Sequence, residues 1–477
     1  MLGPMPAHNA EYHRFSGSQV TQVRRLLIDW YAQSKRPLPW RNANPDENEN
    51  AYRVWVSEII DTVIPYFNKW TEAWPTVHAL AAADPEAVRS VWSGLGYYSR
   101  ASRLLEGAII VVNKFKGVMP RDAETLQKEI PGIGRYTAGA IASIAFNQAT
   151  PLVDGNVVRV LSRMRALGMD PKSKTAVDLH WSLAADIVDP DQPGDFNQSL
   201  MELGATVCTP TNPDCGACPV KEYCRAFEEH TVSTEKAKAA LQAPRKMKRK
   251  IIDADADDDE PCALCLPVTD IEDCGALLVT RYPVVPKKKA AEEKEVLVPI
   301  IELRIPDQPS KFLVMQRPPK GLLANLWDFP HIPTTEELSP LTDFSSDNLL
   351  ASIPNTSLSK SCLTIKIEKP FEPIKHLFSH IKLTMNIVWL TAQLPDGISE
   401  LPVNDTATKN CAWWTEEEME AGAVPVTLKK ALKLVTDDRK GGSKTGAQQG
   451  TIKKKAKKGA NVKDAAQPSI SNFFSRK

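Results

Sequence analysis

The sequence holds no run of 18 uncharged apolar residues, so a membrane-spanning helix is not expected. Its opening stretch, MLGPMPAHNAEYHRF, lacks the apolar core of an export leader, and a secreted protein is not expected either. Net charge is nearly absent: 59 Lys and Arg face 58 Asp and Glu, leaving +1. The balance hides an asymmetry, because residues 439–477 carry +10 and the remainder −9. A nucleic-acid footprint must therefore come from a local patch, a backbone-amide site or the tail. No internal repeat is visible. Cysteine is scarce and odd in number, nine in 477 residues, and four of the nine fall between Cys208 and Cys224. That distribution argues against a disulfide framework and for reduced thiols acting as ligands.

What is present is the composition of a folded protein: 42% hydrophobic, 25% charged, with 11 Trp, 13 Phe and 9 Tyr to bury. At one domain per roughly 100–200 residues, about three folded units fit the length. Residues 1–18 read as an N-terminal extension. From 19 to 227 apolar residues recur at three- and four-residue spacing, as in Thr21–Tyr31, Ala87–Trp92 and Ala101–Phe115, which predicts an all-α domain. Residues 228–267 read as a linker, where PRKMKRK is followed by DADADDDE. From 268 to 437 β-branched runs predict strands at 276–280, 296–305, 311–317, 362–368 and 382–394, closed by a helix at Thr427–Val435. The expected class is multidomain, an all-α domain followed by an α+β one. Residues 438–477 lack periodicity and read as a disordered basic tail.

Cys208, Cys215, Cys218 and Cys224 have the spacing C-x6-C-x2-C-x5-C, with Pro210, Pro213 and Pro219 bending the chain among them. Four thiolates in one loop suit a tetrahedral zinc or an iron–sulfur cluster. Zinc ribbons pair two short C-x2–4-C knuckles, and this loop has one. The spacing resembles the 4Fe–4S loop of the endonuclease III and MutY DNA glycosylases.

Pro131-Gly132-Ile133-Gly134-Arg135-Tyr136-Thr137 stands between two amphipathic segments, and its glycines permit a tight turn with outward N–H groups, a natural phosphate site. Such a turn also serves as a plain connector. Asp154 comes later, in Leu152-Val153-Asp154-Gly155-Asn156, where an ordinary N-cap is the plain alternative. Hairpin, aspartate and cysteine loop together resemble the helix-hairpin-helix glycosylase superfamily, in which this aspartate serves catalysis and Gly132, Gly134, Arg135 and Thr137 would meet DNA. Bifunctional members resembling endonuclease III carry a Schiff-base lysine where this chain has Tyr136. The resemblance therefore implies a monofunctional enzyme.

Leu38-Pro39-Trp40-Arg41, Tyr52-Arg53-Val54-Trp55-Val56-Ser57-Glu58, Gly94-Leu95-Gly96-Tyr97-Tyr98-Ser99-Arg100 and Asp195-Phe196-Asn197-Gln198 resemble the MutY adenine DNA glycosylase family of animals. That resemblance implies removal of adenine mispaired with 8-oxoguanine in base excision repair. Glu58 would protonate adenine at N7, and Asp154 would stabilise the sugar cation with Asn156 and Tyr136 in support. Arg36, Leu38, Trp40, Arg41 and Gln198 would line the adenine pocket, and Tyr97 would wedge beside 8-oxoguanine. Without the resemblance, Glu58 reads as a solvated helix charge and Tyr97 as core packing. After Glu58 the chain is about six residues shorter than the family pattern, enough to shorten a helix by about 9 Å and rotate the next segment by roughly 120°. A lesion-binding, clamp-tethered protein without base release is therefore the alternative reading.

The C-terminal domain resembles the Nudix-like module of MutY proteins, with Ser379 and His380 in its Phe-Ser-His segment, yet Gly321–Pro330 is not followed by the glutamate-rich helix of a Nudix hydrolase. Recognition without hydrolysis is expected. Cys262, Cys265 and Cys274, with His13, resemble the zinc linker of animal MutY proteins, though two thiolates and one imidazole fall short of a closed site unless Cys274 or an acid completes it. Gln467, Ile470, Phe473 and Phe474 match the peptide that docks the replication clamp PCNA. The partners implied are double-stranded DNA and PCNA, the cofactor is a 4Fe–4S cluster with a linker zinc as a lesser expectation, and the protein is expected to be monomeric. Basic stretches at Arg245–Lys250 and Lys453–Lys458 imply a nuclear location, with a mitochondrial form as the second expectation.

Overall fold

The computed structural model describes residues 10–41, 46–60, 63–242, 264, 278–284, 291–333, 364–378, 380–394 and 410–441. The described residues divide into two compact units: one draws on Met1–Ala81 and Glu106–Lys288, the other on Ala82–Leu105 and Lys289–Gln467. Among the described residues no helix is long and apolar enough to cross a membrane.

Helices come first in the chain: α1 (Gly17–Ser34), α2 (Glu47–Ile60), α3 (Ile64–Ala73), α4 (Val77–Ala81), α5 (Pro85–Val91), α6 (Ser99–Phe115), α7 (Ala123–Glu129), α8 (Arg135–Phe146), α9 (Gly155–Met164), α10 (Lys174–Ile187), α11 (Pro193–Thr206) and α12 (Arg225–Gln242). Their starts are written locally. Ser16 and Gln19 form a capping box at α1, and Asp122, Asp154 and Ser173 cap α7, α9 and α10. Val23, Leu27 and Tyr31, four residues apart, form the buried stripe of α1. Val23 and Leu27 join a core that includes Leu152, Val157, Leu161, Leu183, Phe196 and Leu200 from α9 to α11 and the segment before them. The predicted Thr21–Tyr31 and Ala101–Phe115 helices are present, within α1 and α6.

In the second unit β1 (Glu292–Leu303), β2 (Lys311–Gln316), β3 (Trp327–Asp328), β4 (Ile332–Pro333), β5 (Thr364–Pro370), β6 (Ile374–Leu377), β7 (Ile381–Gln393) and β8 (Cys411–Trp414) make one sheet, ordered β3-β2-β1-β7-β5 with β4, β6 and β8 pairing off this path. β1 and β7 run parallel in register from Glu292 opposite Ile381 to Leu303 opposite Ala392, and β2 is antiparallel to β1. Alternation divides the strands between two faces. Val298, Ile300, Phe312 and Val314 share one cluster with α13 (Glu416–Ala421) and α14 (Val426–Gly441), through Met419, Leu428 and Val435, while Leu297, Ile301, Leu303 and Leu313 share the other. Two expectations fail. The linker expected from residue 228 begins later, because α12 runs on to Gln242 and buries Glu229 and Ser233. Within 276–280, Val279 opens a 3-10 turn, Val279–Arg281, in place of a strand, because its apolar anchors pack onto the helical unit and have no strand beside them.

Candidate active site

Glu58 lies two residues before the end of α2, half-buried, and the Tyr136 hydroxyl on the first turn of α8 donates to its Oε2. That hydroxyl is also 3.6 Å from Met201 Sδ on α11. The short connection after Glu58 thus leaves the acid in contact with Tyr136. Val63 and Ile64 are exposed at the start of α3. α3 is fastened to α2 by Trp70 Nε1 donating to the Tyr52 hydroxyl at 3.3 Å, which in turn donates to the Trp74 carbonyl at 2.9 Å.

Asp154 is the N-cap of α9 in geometry, accepting from Val157 N–H at 2.6 Å and from Asn156 Nδ2 at 2.8 Å. Burial pushes its carboxyl up from the ordinary range, opposed by those two hydrogen bonds and by Arg159. Asn156 Oδ1 accepts from Arg159 Nη2 at 2.8 Å, and Arg159 continues to the carbonyls of Gly204 at 2.6 Å and Cys208 at 2.8 Å. Close approach sets this geometry. A Cβ on Gly204 would stand 2.6 Å from Asn156 Cβ, and one on Gly139 would stand 2.5 Å from the Pro151 carbonyl oxygen. Met201 and Gly204 are one turn apart on α11, so the Glu58–Tyr136 pair and the Asp154–Asn156 pair seat against the same helix.

The expected pocket residues are held together by one that no motif marked. Arg36 donates to Glu202 from its backbone N at 3.2 Å, Nε at 2.6 Å and Nη2 at 3.2 Å, and Arg41 donates from Nη2 at 2.8 Å. Burial alone would raise the Glu202 carboxyl, but the hydrogen bonds and charges of Arg36 and Arg41 outweigh it and hold it below the ordinary range. Trp40 is buried edge-on to Phe67 at 5.2 Å. Leu38 is half-buried and its carbonyl accepts from Arg41 N–H at 2.9 Å. Arg53 Nη2 donates to the Pro39 carbonyl at 2.8 Å, so this segment is tied to both α2 and α11. Gln198 is half-buried, donating to the Gly194 carbonyl at 3.3 Å. Beside it, buried Asn197 donates to Ser143 Oγ at 3.0 Å and the Thr150 carbonyl at 2.8 Å, joining α11 to α8.

In the hairpin between α7 and α8, Gly132 has φ +85° and Gly134 caps α8, both exposed. Arg135 is exposed with its guanidinium 3.9 Å from the Trp181 ring centroid. Thr137, expected at the DNA face, is buried instead, because α8 turns that side inward. In the second unit Tyr97 has φ +48° and is 41% exposed, so its ring is presented to solvent from a fixed turn. The turn is held by Trp92 Nε1 donating to the Gly96 carbonyl at 2.9 Å and by Gly94 N–H donating to the Tyr98 hydroxyl at 3.1 Å. Arg100 lies 5.5 Å from both the Trp92 and Tyr97 rings. His380 is exposed beside the start of β7. Ser379 lies outside the described residues, as do Cys262, Cys265, Cys274, Gln467, Ile470, Phe473 and Phe474. His13 is buried, sharing a 2.7 Å hydrogen bond between Nδ1 and the Arg165 carbonyl.

Cys208, Cys215, Cys218 and Cys224 are half-buried and line one pocket with Arg163, Leu203, Val220 and Val279. Burial raises the Cys218 and Cys224 thiols to about 12, so they ionise only with a cationic group to compensate. Four such sulfurs fit a metal–sulfur group. Among the described residues no group of three or more His, Cys, Asp and Glu side chains is placed to hold a single metal ion.

Comparison with known proteins covers most of the chain. Residues 59–183 match the family model of the HhH-GPD superfamily base excision DNA repair protein, residues 208–224 that of the iron–sulfur binding domain of endonuclease III, and residues 303–434 that of the NUDIX domain. The chain is similar to the adenine DNA glycosylase of Rattus norvegicus, 41% identical over 440 residues, which cover 90% of this chain and 81% of the rat protein. It is 40% identical over 462 residues to that of Homo sapiens, covering 92% and 78%, and 38% identical over 416 residues to that of Schizosaccharomyces pombe, covering 82% and 86%.

Proposed function

Because the chain belongs to the adenine DNA glycosylase family, with an iron–sulfur loop and a Nudix-like second domain, we propose that it removes adenine opposite 8-oxoguanine by hydrolysing the N-glycosidic bond. The contact between Tyr136 and Glu58 carries this reading. A carboxyl needed to protonate adenine N7 must be aimed and partly shielded, and the tyrosine holds it in a fixed place on the half-buried end of α2. Protonation turns adenine into a neutral leaving group as the bond between C1′ and N9 breaks. The buried Asp154 carboxylate then faces the positive charge that develops on the sugar, where a low-dielectric setting strengthens the attraction. Its two hydrogen bonds and Arg159 oppose the neutralising effect of burial, and water completes the displacement. Tyr136 in the place of a lysine supports a monofunctional course.

Four thiols around one apolar pocket support a 4Fe–4S cluster, which would tie Cys208 to Cys224 and brace the loop that Arg159 and Arg163 grip. The Nudix-like domain, whose sequence lacks the glutamate-rich pattern of a Nudix hydrolase after Gly321–Pro330, supports recognition of 8-oxoguanine through the segment bearing Ser379 and His380, with Tyr97 as the wedge. The tail supports tethering to PCNA, and its basic stretches support nuclear import.

The test is single-turnover adenine release from a duplex with one adenine opposite 8-oxoguanine, using the parent chain and Glu58→Gln. Release in the parent that vanishes in the variant is the expected result. Duplex binding without release in the parent would instead establish the binding-only reading, and rescue of release on restoring the missing segment after Glu58 would assign its cause.

A further inference from the structure

Residues 278–284, beyond the linker, lie against the cysteine loop. Val279 lines the same pocket as the four cysteines. Val279 and Tyr282 are buried with Ala166 and Ala226, and Tyr12, Cys215, Cys224 and Phe227 pack on this group. Two polar locks add to the packing. The Tyr282 hydroxyl donates to Glu229 Oε2 at 2.9 Å, and buried Arg163 donates from Nε to the Tyr282 carbonyl at 3.0 Å. The other end of that guanidinium donates to Cys208 Sγ at 3.3 Å, the Thr209 carbonyl at 2.7 Å and the Pro210 carbonyl at 2.8 Å. One side chain thus holds the first cysteine and the strap together.

We propose that Leu278–Val284 is a strap that seals the iron–sulfur pocket, with Val279 as its wall and the Tyr282–Glu229 and Tyr282–Arg163 hydrogen bonds as its fasteners, so that strap seating and cluster retention support one another. The inference rests on the reading of the four cysteines as cluster ligands. An unsealed pocket admits water and small chelators to Cys215 and Cys224. A seated strap admits them only through local opening, whose frequency is set by the free energy of the contacts broken. Conversely, a loop collapsed by loss of the cluster would release Arg163 from one of its two grips.

The experiment is iron loss from purified holoprotein challenged with an excess of a soluble iron(II) chelator, tracked by the cluster's visible absorption and by released iron. Tyr282→Ala is expected to shorten the half-life of the cluster about tenfold, equivalent to ~1.4 kcal/mol in opening, and Tyr282→Phe, which keeps the ring and removes only the Glu229 lock, to shorten it about threefold. Equal half-lives in Tyr282→Phe and the parent, with the cluster present in both, would overturn the proposal. Should Tyr282→Ala fail to fold, hydrogen exchange on the parent decides: the amides of Arg281 and Tyr282, which donate within the strap's turn, are expected to lose protection when iron is stripped. Unchanged protection would likewise overturn it. A parent that binds no iron and shows no visible absorption would refute the cluster assignment itself, a different failure.

Discussion

Replacing Glu202 by Gln tests how the candidate pocket is held. The glutamate side chain is fully buried, with Arg41 12% and Arg36 44% exposed beside it. Glutamine keeps the volume and leaves one carbonyl oxygen for Arg36, but turns an amide NH2 toward the Arg41 guanidinium, donor against donor. Arg36 can rehydrate, so its share of the loss is small, ~0–1 kcal/mol. Arg41 cannot, and breaking a buried pair by removing one partner costs ~3–5 kcal/mol. For a unit of about 150–250 residues each kcal/mol is worth roughly 2–4 °C, so a melting temperature lower by about 10 °C is expected in thermal unfolding monitored by far-ultraviolet circular dichroism. The loss depends on pH. The folded-state pKa of Glu202 is lowered, so its contribution is fully present above the unfolded value of about 4.3 and fades as pH falls through the folded one. Parent and variant should therefore converge in acid. The double substitution Arg41→Met with Glu202→Leu removes both charges and should recover part of the loss. A Glu202→Gln protein that melts within about 2 °C of the parent at neutral pH, or a double variant weaker than the single, would refute the clamp.

Asp154→Asn should lower adenine release by roughly 10²- to 10³-fold, yet melt no lower than the parent at neutral pH, since asparagine still caps α9. The raised pKa of Asp154 makes its ionisation a cost that appears as pH rises through the folded value, so any advantage of the variant should vanish below about pH 4. Titration of melting temperature against pH checks this. Tyr136→Phe should slow release by roughly 10- to 100-fold through loss of the hydroxyl that orients Glu58, with duplex affinity unchanged in a filter-binding assay. Gly204→Ala should destabilise by about 1–3 kcal/mol, because its Cβ would meet Asn156 Cβ at 2.6 Å. Release should fall with it, whereas an Ala substitution at exposed Gly17, the first residue of α1 with nothing within 4 Å, should leave stability unchanged or raise it by up to about 1 kcal/mol in chemical denaturation.

Local rules in the sequence were enough for much of the helical unit. Ser16, Asp122, Asp154 and Ser173 announce helix starts with their own side chains, and the four longer strand runs declare themselves by β-branching. Asp154 shows why a plain reading and a functional one need not compete: the N-cap geometry is there, and it is what buries the carboxylate. Glu202 was illegible because Met-Glu-Leu-Gly reads as ordinary helix, and nothing local says that two arginines more than 160 residues away arrive beside it. Gly204 did carry a signal. A glycine inside a helix costs about 1 kcal/mol against alanine, so its presence asks for a packing reason, here Asn156. The strand expected at 276–280 failed because apolar content alone cannot tell a strand from a segment that docks on another surface.

The parallel pairing of β1 with β7 has a consequence for how the protein is made. Residues 304–380 separate the two strands, so the longest ladder of the sheet cannot close until β7 has left the ribosome. Until then the apolar run Val296–Leu303 waits in the nascent chain with an open edge, the situation in which chains pair with one another instead of with themselves. Products that stop before Ile381 should accordingly collect as aggregates and carry the helical unit ahead of them out of solution. Premature termination late in the message would thus remove the protein by precipitation and not merely shorten it.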